Sequence, residues 1–147
     1  MNNSKIISVE KVMCILMDNR GRLLVSKGYD KVKDEIFYRL LGGSLDSGED
    51  PETGIRREIR EELNSELDEL ESLGIIDNPF IYEGQSRHQT IYLFRAALVY
   101  KDIEDKDKIH IVEEKYEFDA YWIPVKDILE KRVILYPPFD QEKFLKC

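Results

Sequence analysis

The sequence predicts an α/β fold, a mixed β-sheet flanked by helices. Three observations carry that expectation. Val9–Asp18 ("VEKVMCILMD") is apolar at both odd and even positions, as in a strand buried on both faces. Pro51–Leu63 repeats its aliphatic residues at helical spacing. Shorter apolar runs, bounded by turn residues, stand on either side of that helix.

The elements follow in order. Asn19–Gly21 ("NRG") reads as a turn and Arg22–Gly28 as a partner strand, so the first two strands are expected to form a hairpin. Ile36–Gly43 is a short strand running into glycines. Leu73–Gly84 and His88–Tyr100 read as two strands joined by a short polar turn. Lys101–Lys115 is a charged connection, Glu117–Val125 an aromatic-rich strand and Val125–Arg132 a short helix. The tail from Tyr136 packs loosely or as one more helical turn. With no internal repeat, low-complexity segment or linker, one domain over residues 1–147 is the simplest organisation.

Composition narrows the function. The chain is 42% hydrophobic and 35% charged, as in a globular protein rather than a disordered one. No apolar run reaches the ~20 residues of a membrane span. The opening "MNNSKIISVEK" lacks the apolar centre of a signal peptide, so a cytoplasmic protein is expected. Cys14, in an apolar stretch, and Cys147 make neither a disulfide framework nor a metal spacing. The net charge of −8 lacks the basic excess that duplex nucleic acid attracts. An anionic substrate would need a divalent cation to bridge the repulsion.

The helix holds the chemistry. Asp50 suits the N-cap, Pro51 the first helical position and Glu52 the positive end of the dipole. Ile55, Ile59 and Leu63 form one apolar stripe. At roughly 100° per residue from Ile55, Glu62 falls at about −20°, Glu58 at about −60° and Glu61 at about −120°. Arg56, Arg60 and Arg57 fall at about 100°, 140° and 200°. The acids therefore gather on one edge of the buried stripe, with Glu62 almost inside it. A solvated face mixes its signs to make i,i+4 pairs. Here Arg57–Glu61 is such a pair, but Glu58–Glu62 is like-charged. Burying acids beside each other is costly unless a cation compensates, and hard cations take carboxylate oxygens. A divalent-metal site fits better than a helix end whose glutamates merely reach water. Before the helix, Gly42, Gly43 and Gly48 allow tight turns and close approach of backbone to a ligand.

These residues resemble the Nudix box. Its fixed positions match Gly43, Glu49, Arg57, Glu58, Glu61 and Glu62, with aliphatic Ile59 and Leu63 in place. The closing glycine is Asn64, which tolerates a left-handed helix terminus, and the last aliphatic position is Ser65. The resemblance implies a Nudix-type α/β/α sandwich and a Mg²⁺- or Mn²⁺-dependent hydrolase of nucleoside diphosphate-linked compounds. By position, Glu58, Glu61 and Glu62 are the implied metal ligands, with the Gly42 carbonyl a further one. Arg57 is implied to orient the glutamates, and Glu49 to pair with Arg57 and hold loop to helix. The implied partner is a small nucleotide or sugar nucleotide, and the protein is expected to be a monomer or homodimer.

Other candidates stand outside the box. Glu113 and Glu114 are a general base, an extra ligand, or ordinary loop acids. His88 touches a phosphate or base at the rim, or bonds a strand neighbour. Tyr38, beside Phe37, stacks on a base or belongs to core and rim, and Trp122 belongs to the core. Two alternatives to small-molecule hydrolysis are a non-catalytic Nudix-fold module that binds a nucleotide or protein, which the intact box disfavours, and hydrolysis of an RNA 5′ end, which the acidic balance does not help.

Overall fold

The computed structural model describes residues 6–113 and 117–145. Its elements are β1 (Ile7–Leu16), β2 (Arg22–Asp30), β3 (Glu35–Ser44), α1 (Pro51–Leu63), β4 (Leu67–Tyr82) and β5 (Gln85–Leu98). A 3-10 helix (Lys101–Asp105), β6 (Lys108–Val112), β7 (Glu117–Pro124), α2 (Val125–Leu129), β8 (Leu135–Tyr136) and α3 (Gln141–Leu145) follow. The strands lie in the order β4-β5-β1-β3-β2-β7-β6, with β8 on β3. The sheet is mixed: β1 runs parallel to β5 and antiparallel to β3. β3 joins its halves, pairing with β2 from Glu35 to Leu40 and with β1 from Leu41 to Ser44.

The two-sided apolar pattern of β1 makes it the middle layer. Val12, Cys14 and Leu16 pack with Ile55, Ile59 and Leu63 of α1. Met13 and Ile15 pack with Ile128 of α2 and Leu145 of α3. Period-two alternation thus sends neighbouring residues of one strand into opposite cores. This is the expected helix–sheet–helix sandwich. Among the described residues, no helix is long and apolar enough to cross a membrane.

Several boundaries differ from the sequence expectation. The expected β1–β2 hairpin has only the isolated bridge Met17–Leu23, because β3 lies between the two strands. The turn itself holds: Asp18 Oδ1 accepts from the Arg20 and Arg22 amides, and Oδ2 pairs with Arg22 Nε at 2.6 Å. β4 starts at Leu67 rather than Leu73 and takes in "LDELES". That stretch pairs with β5 across two irregularities, with Glu69 and Gly74 at positive φ. The β4–β5 turn is tighter than expected, two residues, with Glu83 (φ 49°) and Gly84 (φ 79°) both left-handed. A two-residue turn of that handedness matches strand twist, so pairing continues to Tyr82–Gln85.

The charged connection is the largest correction. It contains the 3-10 helix and β6. Ile103 and Ile111 anchor it in the core, and Trp122 Nε1 donates to the Ile103 carbonyl at 3.1 Å. Trp122 is buried as expected. The short helix after β7 ends at Leu129, three residues early, and the tail supplies both β8 and the one-turn α3.

Candidate active site

The site begins where β3 gives way to α1. Gly42 has φ +151°, and a Cβ there would stand 1.9 Å from the Val12 carbonyl oxygen. At Gly43 a Cβ would fall 2.4 Å from the Glu58 carboxyl carbon. Only glycines let the strand end lie against the acids of α1. Asp50 then starts the helix: its carboxylate accepts from the Thr53 amide (3.1 Å) and hydroxyl (2.7 Å). Asn64 ends it in the left-handed region at φ 52°, donating to the Arg60 carbonyl. Ser65 is buried and ties the exit to the chain just past β5, accepting from the Tyr100 amide.

α1 buries Ile55, Ile59, Leu63, Glu58 and Glu62 together, so the acids flank the apolar stripe as the helical angles require. Glu58 is 7% and Glu62 8% exposed. Glu113, just past β6, meets them: one oxygen from each of the three carboxylates lies within 4.8 Å of the others. Glu61 stands apart, exposed and held by Arg57 Nη1 at 3.2 Å. Glu114 lies outside the described residues, as does Cys147.

Arg57 organises this corner. Its Nε and Nη2 donate to the two oxygens of Glu49 at 2.8 and 2.9 Å, a bidentate pair across the loop. Nη1 reaches Glu58 at 3.1 Å as well as Glu61, and Nη2 reaches the Ser44 carbonyl at 3.1 Å. Glu49 also accepts from the Asp46 amide. The Arg57 hydrogen bonds hold the Glu49 carboxyl down at about 2. Loop, strand end and helix are thus fixed through one guanidinium.

Electrostatics are strained at the three-acid cluster. Glu62 is pushed up to about 9, first by burial and then by Glu113 and Glu58, against the Gly42 amide that draws it down. Burial also raises Glu58, opposed by Arg57. Glu62 Oε1 is buried without a hydrogen-bond partner among the described residues. An orphaned buried acceptor beside two more acids is the donor set that a hard divalent cation satisfies. The residues therefore fit Mg²⁺ or Mn²⁺.

From this corner a cleft of about 830 Å³ extends between the sheet halves. Lys11 and Arg39 line it next to the acids. Burial and neighbouring Arg39 lower the Lys11 pKa, while Glu58, Glu113 and Glu62 raise it. Phe37, Asn78 and Arg87 line its further reaches. The sequence pointed to none of these cations. A signal was present, since Lys11 and Arg39 interrupt otherwise apolar strands. Of the aromatic pair before the glycines, Phe37 lines the cleft, whereas Tyr38 packs against the core beside α2 and α3. His88 is paired with Asp77 on the β4–β5 ribbon, and its neighbour Gln89 lines the cleft.

The NUDIX domain family matches residues 8–142. The chain belongs to the Nudix family. Members are generally hydrolases that use divalent metals and act on nucleotide-linked compounds. This Nudix chain is similar to a putative mutator protein MutT4 of Mycobacterium tuberculosis (strain CDC 1551 / Oshkosh), at 27% identity over 112 residues. The match covers 76% of this chain but 37% of that protein, so the chain spans little more than a third of its relative's length. Among solved structures, a Nudix hydrolase from Nitrosomonas europaea aligns over 89% of this chain and 82% of its own, with TM-score 0.61 and 19% identity. A MutT protein from Bacillus halodurans aligns over 83% and 72%, with TM-score 0.55 and 20% identity. At such identities the likeness establishes the fold.

Proposed function

We propose that this Nudix protein is a divalent-metal-dependent pyrophosphohydrolase of small nucleoside diphosphate-linked compounds, formed as one domain over residues 1–147. The observation that carries the reading is the convergence of Glu58, Glu62 and Glu113, with a buried unpartnered oxygen, at the head of a cation-lined cleft. Glu58, Glu62 and Glu113 would hold Mg²⁺ or Mn²⁺, with Glu61 and the Gly42 carbonyl as further candidates at the same corner. When bound, such a cation neutralises diphosphate charge and acidifies water.

The protein's own contribution is positioning. Arg57 fixes Glu58 and Glu61 and, through Glu49, the loop that closes the corner. Lys11 and Arg39 offer positive charge to phosphate oxygens on the cleft side of the acids. Glu113 belongs to the acid cluster, which supports it as a ligand or as the group that accepts the water's proton, and Glu114 remains the second candidate for that proton. Tyr38 and His88 stand beside the cleft-lining Phe37 and Gln89, at positions from which substrate contact at the rim would have to be tested by substitution. The absence of a basic surface excess favours small nucleotides over duplex nucleic acid.

The test is turnover of ADP-ribose, nucleoside triphosphates, dinucleoside polyphosphates and sugar nucleotides with Mg²⁺ and with Mn²⁺, scored by released phosphate or pyrophosphate. Metal-dependent turnover of at least one, lost in Glu62→Gln, is the expected result. No turnover, with metal-independent nucleotide binding, would establish the binding module instead.

A further inference from the structure

Arg87 sits in an arrangement that the proposed chemistry does not use. Its Nε is buried and has no hydrogen-bond partner among the described residues. Its guanidinium lies 5.7 Å from the Tyr82 ring centroid, and the side chain borders the cleft. Two acids of the β4–β5 ribbon are committed elsewhere, Asp77 to His88 and Glu83 to Lys31, while Glu35 borders the cleft. Asp30, which also borders the cleft, spends its Oδ1 on the Val32 and Lys33 amides. A guanidinium held on a ring, short of acceptors and partly out of water, is costly unless something anionic completes it.

Its place in the sheet says what that is. Lys11, which faces the acids of α1, stands opposite Ile91 on the β1–β5 ladder, and Arg87 stands opposite Ile7. The two positions are four residues apart, ~13 Å at ~3.3 Å per residue. Phosphates held at the carboxylate corner leave Arg87 facing the other end of a nucleotide-sized ligand, not the next phosphate in the chain. Two amides stand on the same stretch of the ribbon: Asn78, 5% exposed, donates to Gln89 at 3.5 Å, and both border the cleft. A neutral carbonyl would leave the guanidinium charge uncompensated, whereas an oxyanion takes its forked donors in pairs.

We propose that Arg87, with Asn78 and Gln89 beside it, makes the far end of the cleft a second anion subsite, which takes a phosphate monoester remote from the scissile diphosphate. The inference rests on the cleft being the substrate site. Substrates carrying such a phosphate, on the ribose for example, are preferred over those with a free hydroxyl.

Binding of nucleotides that carry no diphosphate to cleave, measured in Mg²⁺, tests this apart from turnover. Calorimetry compares the 5′-monophosphates of adenosine and guanosine with their 2′,5′- and 3′,5′-bisphosphates. At least one bisphosphate is expected to bind ten-fold or more tightly than its monophosphate. Arg87→Gln should remove that gain, and Arg87→Lys should keep part of it. Equal affinity for all, or a gain that survives Arg87→Gln in a protein with unchanged melting temperature, overturns the subsite. Because no hydrolysis is read, an inactive protein that shows the gain refutes the catalytic proposal and leaves this one standing.

Discussion

Two arginines, one bonded to the acids of α1 and one bordering the cleft, live in contrasting surroundings. Arg57 has its guanidinium filled by Glu49, Glu58, Glu61 and the Ser44 carbonyl. Arg87 rests on Tyr82 with Nε buried and without a hydrogen-bond partner among the described residues. Saturation identifies a residue that holds the protein to itself. An open donor identifies one kept for a ligand. The acids divide the same way: Glu49 is consumed by Arg57, whereas Glu62 Oε1 is buried with no hydrogen-bond partner among the described residues.

The most damaging change on this view is at the unsaturated acid. Glu62→Gln should lower metal-dependent turnover at least ~100-fold, beyond the 10- to 100-fold that loss of an outer partner costs. Circular dichroism should show an intact fold, since glutamine keeps the size and hydrogen-bonding shape of the protonated carboxyl. Wild-type turnover in this variant would remove Glu62 from the metal site. Glu61→Gln sharpens the division. A loss as large as that of Glu62→Gln shows that its exposed carboxylate leaves Arg57 for the corner during turnover, and a few-fold loss confines it to the Arg57 network.

Arg57→Ala comes next. It releases three carboxylates at once, so turnover should fall ~10- to 100-fold. Arg57→Lys should not restore it, because an ammonium cannot make the bidentate pair with Glu49. Full rescue by lysine would mean that charge alone matters and that the forked geometry does not.

Those two effects concern the part of the molecule that was readable in advance. Asp50, Pro51 and the Ile55–Ile59–Leu63 stripe specify α1 locally, and helical angles alone put Glu62 nearest the buried edge. Local rules cannot report which distant strand meets that edge. Glu113 arrives because β6 pairs with β7 inside a stretch dense in Asp, Glu and Lys, whose two buried isoleucines were masked by surrounding charge. The separation of β1 from β2 was hidden for a related reason. A turn signal fixes reversal of the chain but not whether a third strand inserts between the arms. Lys11, Arg39 and Arg87 came together only through long-range pairing of β1, β3 and β5.

A smaller effect tests the packing behind the Arg57 network. Gly54 is in α1, yet a Cβ there would meet Leu45 Cδ2 at 2.4 Å and Glu49 Oε1 at 3.2 Å. In an open helix Gly→Ala stabilises by up to ~1 kcal/mol. Here the substitution should destabilise by ~1–3 kcal/mol in urea unfolding, as overpacking does, and it should displace Glu49 from Arg57. A stabilised Gly54→Ala protein would show that the loop yields easily and that Arg57 is less tightly fixed than its bonds imply.

The least of the effects is a pH dependence, and it separates the strained acid from the saturated one. Glu62 faces Glu58 on its own helix, Glu113 beyond β6, Lys11 on β1 and the Gly42 amide. With its folded pKa raised to about 9, the metal-free native state binds a proton that the unfolded chain has released. Stability from that proton is present below the unfolded carboxyl value and is lost as pH rises toward 9. Glu49 has the opposite sign: its folded value of about 2 contributes stability above the ordinary carboxyl range that is lost only in acid. Between pH 5 and 9 in chelator, Glu62 therefore steepens a slope to which Glu58, raised by burial, and His110, raised by its bond to Asp119, add with the same sign, and the melting temperature should fall by a few degrees. Glu62→Gln should flatten that fall. Mg²⁺ should reverse it, because a cation binds the ionised carboxylates, with an added stabilisation that grows as RT ln(1 + [Mg²⁺]/Kd). A metal-free melting temperature equally steep in wild type and Glu62→Gln would assign the slope to general repulsion in a chain of net charge −8 rather than to this corner.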